Sequence, residues 1–254
     1  MQTVIDNVAA VILAAGMGTR MKSNKAKVLH EIIGRPMVMY VVETASKVVG
    51  NNIVLVIGNQ ADKVKRIVSE RIDVIFAIQE EQLGTGHAVL CAQPYIPEHA
   101  DQVVILCGDV PLITPYTLIQ LIDDHIKAVR DISILAVEID NPKGYGRILL
   151  DENRNVNGIV EETDATEEQK GIKIINTGIY CIKKDYLFDA LKKIKSDNVQ
   201  GELYLTDIIG IGYKEGKNIG VLVGSDVEEV IGVNNSEDLI KVEIIMRERL
   251  YKTS

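Results

Sequence analysis

The stretch that most constrains this chain lies near its start, AVILAAGMGTRMKSNKAKVLHEIIGRP at positions 10–36. An apolar run from Val8 to Leu13 stops at Ala14-Ala15-Gly16, and the loop that follows carries Arg20, Lys22, Lys25, Lys27 and Arg35. Five basic residues against Glu31 put this segment at +4, in a chain whose net charge is −8. A buried strand emptying into a flexible cationic loop is how an α/β sheet presents phosphate-binding groups. Two familiar phosphate loops are excluded by spacing. A Walker loop needs four residues between its first glycine and a Gly-Lys-Ser/Thr, and none is present. A dinucleotide fingerprint needs a third glycine where Met21 stands, and an acid after the second strand, where the chain reads Ile57-Gly58-Asn59-Gln60. By composition alone, an ordinary strand–turn–helix with solvated lysines reads the same way.

The 254 residues suffice for one large domain with a substantial core. The negative charge argues against nucleic acid as a bulk partner, because phosphate-backbone binding calls for a basic face. Cys91, Cys107 and Cys181 are odd in number and far apart, which suits reduced thiols better than a disulfide framework or a zinc site. The opening MQTVIDN has neither the basic nor the apolar region of a signal peptide, and no apolar run is long enough to span a membrane. The expectation is a soluble cytoplasmic protein without membrane partners.

Up to about residue 130, apolar runs at 8–13, 53–57, 74–78 and 103–107 alternate with amphipathic stretches at about 37–49, 61–70, 86–93 and 115–128. That alternation predicts a Rossmann-like, mostly parallel α/β sheet with flanking helices, its ligand site beyond the carboxyl ends of the strands. Beyond residue 130, strand candidates at 132–139, 147–150, 156–162 and 178–183 are separated by Asn, Asp and Gly. They predict an added antiparallel part on one side of that ligand cleft. Residues 163–171 read as a mobile loop or short exposed helix, and a final βα unit runs from Ile219–Val223 into a helix from about Ser236.

The strings LAAGMGTRM, KVLH, QEEQLGTGHA, GDVPLI, NPKGYGRI, GIVEETDAT, INTGIY, GELYLTDII and GVNN occur in this order between Val8 and about Asn235. Together they resemble the sugar-phosphate nucleotidyltransferases. The match is strongest to the bacterial N-acetylglucosamine-1-phosphate uridyltransferase domains that are joined to a glucosamine-1-phosphate acetyltransferase. The resemblance implies a nucleotide-diphospho-sugar transferase fold over 1–235. It implies formation of UDP-N-acetylglucosamine and pyrophosphate from UTP and N-acetylglucosamine-1-phosphate, with Mg²⁺ as cofactor. Residues 236–254 then form an amphipathic helix, where that family continues into a β-helix of hexapeptide repeats. No such repeats are seen here, so the expectation is no acetyltransferase activity and a monomer or weak dimer. The alternatives are a nucleotidyltransferase for glucose-1-phosphate and a silent sugar-nucleotide-binding module. The silent module should have lost the four residues considered next.

Joining a sugar 1-phosphate to the α-phosphorus of UTP brings two anions together and moves charge onto a leaving pyrophosphate. The chemistry asks for positioning, cations and a divalent metal rather than a protein nucleophile. Arg20 offers a planar fork and Lys27 a point charge, and both match catalytic positions of the family. Lys22 and Lys25 read as solvated. Asp109, after the strand in Gly108-Asp109-Val110-Pro111, and Asn234, after the apolar Val230–Val233, both read as ending strands. One carboxylate and one amide, completed by phosphates and water, make a plausible Mg²⁺ shell. Asn235 or Ser236 can cap the following helix and leave Asn234 free.

The resemblance assigns Leu13, Ala14, Ala15, Gly16, Gln79, Gly84, Thr85, Cys107 and Gly108 to the nucleotide. It assigns Gly146, Glu161 and Asn176 to the sugar. Thr85 also reads as a cap for the helix from Gly86, and His30 and His87 as structural hydrogen-bonders. Two residues depart from the family pattern: Ala26 where proline is usual, and Cys107 where tyrosine is common.

Overall fold

Val8–Ala14 (β1) carries no polar side chain, and sheet and helices enclose it. Val8, Ala10, Ile12 and Ala14 enter one apolar core and Val11 the other, as the two-residue period of a strand requires. The computed structural model describes residues 4–252. After β1 come a two-residue-per-strand hairpin, Glu31–Ile32 (β2) and Arg35–Pro36 (β3), and the helix Met37–Val49 (α1). Ile53–Ile57 (β4), Ala61–Ser69 (α2), Ile75–Ile78 (β5), Thr85–Ala92 (α3), Gln102–Cys107 (β6) and Pro115–Lys127 (α4) follow. The second half holds Ile132–Glu138 (β7), Gly146–Leu150 (β8), Val156–Val160 (β9), Glu167–Lys170 (α5), Ile174–Lys183 (β10), Lys184–Leu191 (α6), Asp207–Lys214 (α7), Ile219–Val223 (β11) and Ser236–Lys252 (α8).

Among the described residues nine strands form one sheet, with the main path β11-β7-β10-β6-β1-β4-β5. β10 runs antiparallel to both neighbours, and the other pairings on that path are parallel. The β8–β9 hairpin joins the amino-terminal half of β10 through Ile175↔Arg147 and Asn176↔Gly146. From β1 the chain builds toward β4 and β5 on one side and toward β6 on the other. The crevice beyond the carboxyl ends of β1 and β6 is therefore the switch point where such sheets bind ligands. Helices α1, α2 and α4 cover one face, through Val38, Val42, Val64, Leu118 and Leu121. Helices α3, α6 and α7 cover the other, through Val89, Leu187, Leu191 and Ile208.

A third, smaller cluster docks α8: Val242 and Ile245 are buried with Met21, Ile32, Met37, Leu112 and Val233. The opposite side of the same helix leaves Ile240, Ile244, Leu250 and Tyr251 exposed. Among the described residues no helix is long and apolar enough to cross a membrane.

Most expected elements appear within a residue or two of their predicted ends. β10 instead begins four residues early, because Asn176-Thr177-Gly178 forms a bulge inside the strand rather than a turn before it. The 163–171 segment does contain a short helix, α5, closed by a Thr166/Gln169 capping box. Helices α6 and α7, each eight residues long, were not expected.

His125 is 1% exposed and sits between Ser133 Oγ and Gln102 Oε1, each 2.9 Å from a ring nitrogen. Burial, with Lys183 and Arg130 adding to it, lowers its pKa to about 4. The unfolded chain takes up a proton near pH 6.5, so the contribution of the neutral ring is complete above that pH and is lost as pH falls toward 4. Stability should drop by about 1–2 kcal/mol between pH 7 and pH 5 from this group. Urea midpoints of His125→Gln at the two pH values should show that part of the drop abolished. An unchanged drop in the variant would place its source elsewhere.

Candidate active site

Each cation of the glycine loop is held by buried neighbours. Arg20 lies in the 3-10 turn Thr19–Met21, and Met21 is buried in the cluster under α8. Lys27 opens a second such turn, Lys27–Leu29, whose Val28 and Leu29 enter the main core. Gly18 lets the two turns approach: its φ is +65°, and a Cβ there would stand 2.5 Å from Lys27 Cβ. Two other basic residues are occupied elsewhere. Lys25 pairs with Glu31 at 2.8 Å, and Arg35 pairs with Glu43 beneath the Tyr40 ring.

Asp109 follows β6, and burial of Val110 and Leu112 fixes its backbone. Asn234 reaches it by a different route from the one expected. Val230–Val233 is no strand: Val227–Val230 is a 3-10 turn, and the Val233 N–H donates to the Asp109 carbonyl at 2.9 Å. One backbone hydrogen bond beside a fully buried Val233 sets Asn234 against Asp109 without a sheet ladder. Asn235 caps α8, its Oδ1 accepting from Glu237 and Asp238 N–H, while Asp238 Oδ2 accepts from the Asn234 N–H at 2.9 Å.

These four side chains meet. Lys27 Nζ donates to Asp109 Oδ2 and, at 2.9 Å, to Asn234 Oδ1. Arg20 donates to the same Asn234 oxygen at 3.0 Å, from 214 positions away in the chain. Among the described residues no group of three or more His, Cys, Asp or Glu that could hold a metal ion converges.

A cavity of about 400 Å³ opens beside this cluster, beyond the ends of β1, β5 and β6. Its wall includes Lys27 and Asp109 together with Leu13, Ala14, Ala15, Gly16, Gln79, Gly84, Thr85 and Cys107. Gly108 stands behind that wall. Its N–H donates to the Leu13 carbonyl at 2.9 Å, and a Cβ would meet that oxygen at 3.0 Å, so it lets β6 end against β1. Met17, Thr19, Gln82 and Glu202 also line the cavity, and residue-by-residue reading had given none of them this position. Gln79 is buried, and its amide donates to the Gly84 carbonyl at 3.1 Å and faces His87 Nδ1 at 3.2 Å. An accepting Nδ1 leaves the His87 proton on Nε2, toward Cys91 Sγ at 3.8 Å. Burial, with the Asp109 carboxylate adding to it, pushes the Cys107 thiol up to about 12, and its S–H faces the Gly178 carbonyl at 3.7 Å.

Gly146, Glu161 and Asn176 form a second group. A Cβ on Gly146 would meet Glu161 Oε2 at 3.3 Å and Asn176 Cβ at 3.4 Å. Asn176 Oδ1 accepts from the Tyr180 hydroxyl at 2.9 Å and from Gly178 N–H at 3.2 Å. Burial raises the Glu161 carboxyl above its ordinary value, and nearby Asp164 and Asp207 add to this against a hydrogen bond from Thr206.

A strap at 202–206 joins the two groups. Leu203 N–H donates to the Leu83 carbonyl and Gly86 N–H to the Leu203 carbonyl, both at 2.8 Å. Thr85 does not cap α3 with its side chain: its hydroxyl accepts from Leu205 N–H at 3.0 Å, because the strap competes for it. At the other end Thr206 donates to Glu161 Oε1 at 3.1 Å.

A cationic glycine loop at the switch point of a three-layer α/β sheet, over a cavity walled by backbone-rich turns, defines a nucleotide-binding α/β protein. Residues 9–238 match the sequence profile of the Nucleotidyl transferase family, and the chain belongs to that family. It is 46% identical over 252 residues to the bifunctional protein GlmU of Geotalea uraniireducens, covering 98% of this chain and 54% of that protein. It is likewise 46% identical to the bifunctional protein GlmU of Syntrophotalea carbinolica, covering 96% of this chain and 52% of that protein. The chain thus spans about half the length of the curated relatives it matches. The fold is shared with the inositol-1-phosphate CTP transferase from T. maritima, at TM-score 0.72 and 17% identity over 97% of both chains. It is shared also with HddC from Yersinia pseudotuberculosis, at TM-score 0.67 and 25% identity over 94% of this chain and 99% of that one.

Gly84 has φ +109° and ψ 175°, a region closed to other residues, and a Cβ there would stand 2.6 Å from the Leu203 carbonyl. Gly84→Ala should therefore cost about 2–3 kcal/mol and peel the strap from the 83–86 turn. Urea denaturation measures the cost and amide hydrogen exchange at Leu203 and Gly86 the peeling. Native-like protection of both amides would show that the strap does not need this glycine.

Proposed function

We propose that the chain is a uridyltransferase that forms UDP-N-acetylglucosamine and pyrophosphate from UTP and N-acetylglucosamine-1-phosphate. The observation that carries the reading is the convergence of Arg20, Lys27, Asp109 and Asn234, of which Lys27 and Asp109 line the cavity. The Gly146–Glu161–Asn176 group reaches the 83–86 turn through the 202–206 strap, and Asn176 accepts from the N–H of Gly178, which faces Cys107 in the cavity wall. Glutamate and asparagine can hold sugar hydroxyls, and the raised Glu161 carboxyl is kept from full desolvation cost by Thr206. Gln79, pinned by Gly84 and His87, offers a fixed amide to the edge of a uracil, and Ala14, Ala15 and Gly16 let a flat base approach the backbone. The three cysteines are free, which suits a reducing cytoplasm.

The sugar phosphate is itself the nucleophile, so no general base is required. Arg20 and Lys27 gather the two anions and offset charge as the α-phosphorus is attacked in line. The fit of a divalent cation rests on two oxygens, Asp109 Oδ2 and Asn234 Oδ1, that already converge on one positive group, the Lys27 ammonium. Bound Mg²⁺ supplies further neutralisation of phosphate charge and orients the triphosphate. Asp109 and Asn234 would hold it, beside the Lys27 ammonium that faces the same two oxygens.

Pyrophosphate release with UTP and Mg²⁺ tests the reading. N-Acetylglucosamine-1-phosphate should be preferred to glucose-1-phosphate, and the reverse order would overturn the sugar assignment. Asp109→Asn should lower kcat several hundred-fold or more, on the order of 4 kcal/mol, with a much smaller change in the KM for the sugar phosphate. Near-normal turnover of that variant at saturating Mg²⁺ would remove Asp109 from the metal site.

A further inference from the structure

The sheet itself ties together only two of the three residues read as the sugar group. Gly146 pairs with Asn176 across β8 and β10, whereas Glu161 lies one residue past the end of β9. Arg147 holds the remaining segment. Its side chain is 1% exposed. One terminal nitrogen donates to Glu162 Oε2 at 2.7 Å and to the Lys170 carbonyl at 3.3 Å, and the other donates to the Tyr145 carbonyl. Tyr145 precedes Gly146, Glu162 follows Glu161, and Lys170 ends α5, from which the chain runs into β10 and Asn176. A single guanidinium therefore joins the three segments that carry Gly146, Glu161 and Asn176.

Two further observations separate this from ordinary packing. The Arg147 Nε is buried with no hydrogen-bond partner, an unfavourable feature that an apolar side chain of similar length would avoid. The planar fork, by contrast, is what reaches several acceptors at once, which a lysine cannot do. Glu162 is the matching partner. Burial works to raise its carboxyl, but the Arg147 hydrogen bond, a backbone hydrogen bond from Gly144 and the charges of Arg147 and Lys170 together outweigh this and leave it below its ordinary value, so the pair is ionised at neutral pH.

We propose that Arg147 is a positioning residue that sets the spacing of Gly146, Glu161 and Asn176 for the sugar of a sugar 1-phosphate. The inference rests on the function read above and deepens it. Arg147 acts through the backbone and through Glu162, so its loss should be felt by the sugar phosphate and not by the nucleotide, whose cavity wall it does not join.

Steady-state kinetics on three variants test this. Arg147→Met should raise the KM for N-acetylglucosamine-1-phosphate by about tenfold or more and leave the KM for UTP within about twofold. Arg147→Lys should recover only part of that loss, because one ammonium cannot span the acceptors. Glu162→Gln keeps the arginine but removes its counter-charge, and should raise the sugar-phosphate KM by about three- to fivefold, with the UTP KM within about twofold, at a temperature where the variant remains folded. Equal rises in both KM values would mark Arg147 as a general packing residue and overturn the proposal, as would an unchanged sugar-phosphate KM in Arg147→Met. If Arg147→Met fails to fold, Glu162→Gln decides alone on the same criteria. An unmodified chain with no turnover on any sugar 1-phosphate overturns the functional reading, and this inference with it.

Discussion

Arg20 and Lys27 donate to one oxygen of Asn234, so the fold holds two positive charges within a few ångströms of each other. Like charges this close repel, the more so where less water lies between them. The Asp109 carboxylate, bound to the Lys27 ammonium, offsets part of this. The remainder is supported by apolar anchoring on every segment involved: Met21 beside Arg20, Val28 and Leu29 beside Lys27, Val110 and Leu112 beyond Asp109, and Val233 before Asn234. The cluster is thus poised to gain from anionic phosphate, since ligand charge relieves a repulsion that folding has already met.

The strap at 202–206 ties the 83–86 turn to the Gly146–Glu161–Asn176 group. Its backbone is zipped to Leu83 and Gly86, its Leu205 N–H is taken by Thr85, and its Thr206 hydroxyl is spent on Glu161. The 83–86 turn and the Glu161 carboxylate are therefore linked through a few residues of hydrogen-bonded backbone. Arg147 binds the next residue along, Glu162. Glu161 accepts from Thr206 while remaining, by burial, reluctant to carry its charge.

What the sequence showed follows physical lines. Continuous apolar runs such as Val103–Leu106 can only be doubly covered strands, and the cationic loop after β1 marked the ligand end of the sheet. Features set by contacts between distant segments were hidden. Asn176-Thr177-Gly178 has the composition of a turn, and only pairing with β7 on both sides makes it a bulge. Val230–Val233 has the composition of a strand, yet it makes one backbone bond to the Asp109 carbonyl. Thr85 was read by local capping rules, and the strap overrode them. The eight-residue helices α6 and α7 offer only about two turns of periodicity, and α7 contains two glycines. Arg147 and Glu202 sit inside the matched strings, but an arginine after a glycine and a glutamate in a loop read locally as solvated charges.

The two departures from the family pattern are explained by the same packing. Ala26 has φ −54°, within the range a proline imposes, so the missing ring removes preorganisation of the unfolded chain but not the native geometry of the loop. Order there comes from burial instead: Ala26, Val28 and Leu29 are all inside the main core, and Lys25 is held by Glu31. Cys107 is fitted to the bulge opposite it. Gly178 adopts φ +77°, and a Cβ at that position would stand 2.9 Å from Cys107 Sγ. A phenol at position 107 could not follow the thiol's path against Gly178. The thiol is small enough to face the Gly178 carbonyl at 3.7 Å, so the departure at position 107 and the glycine at position 178 fit one another.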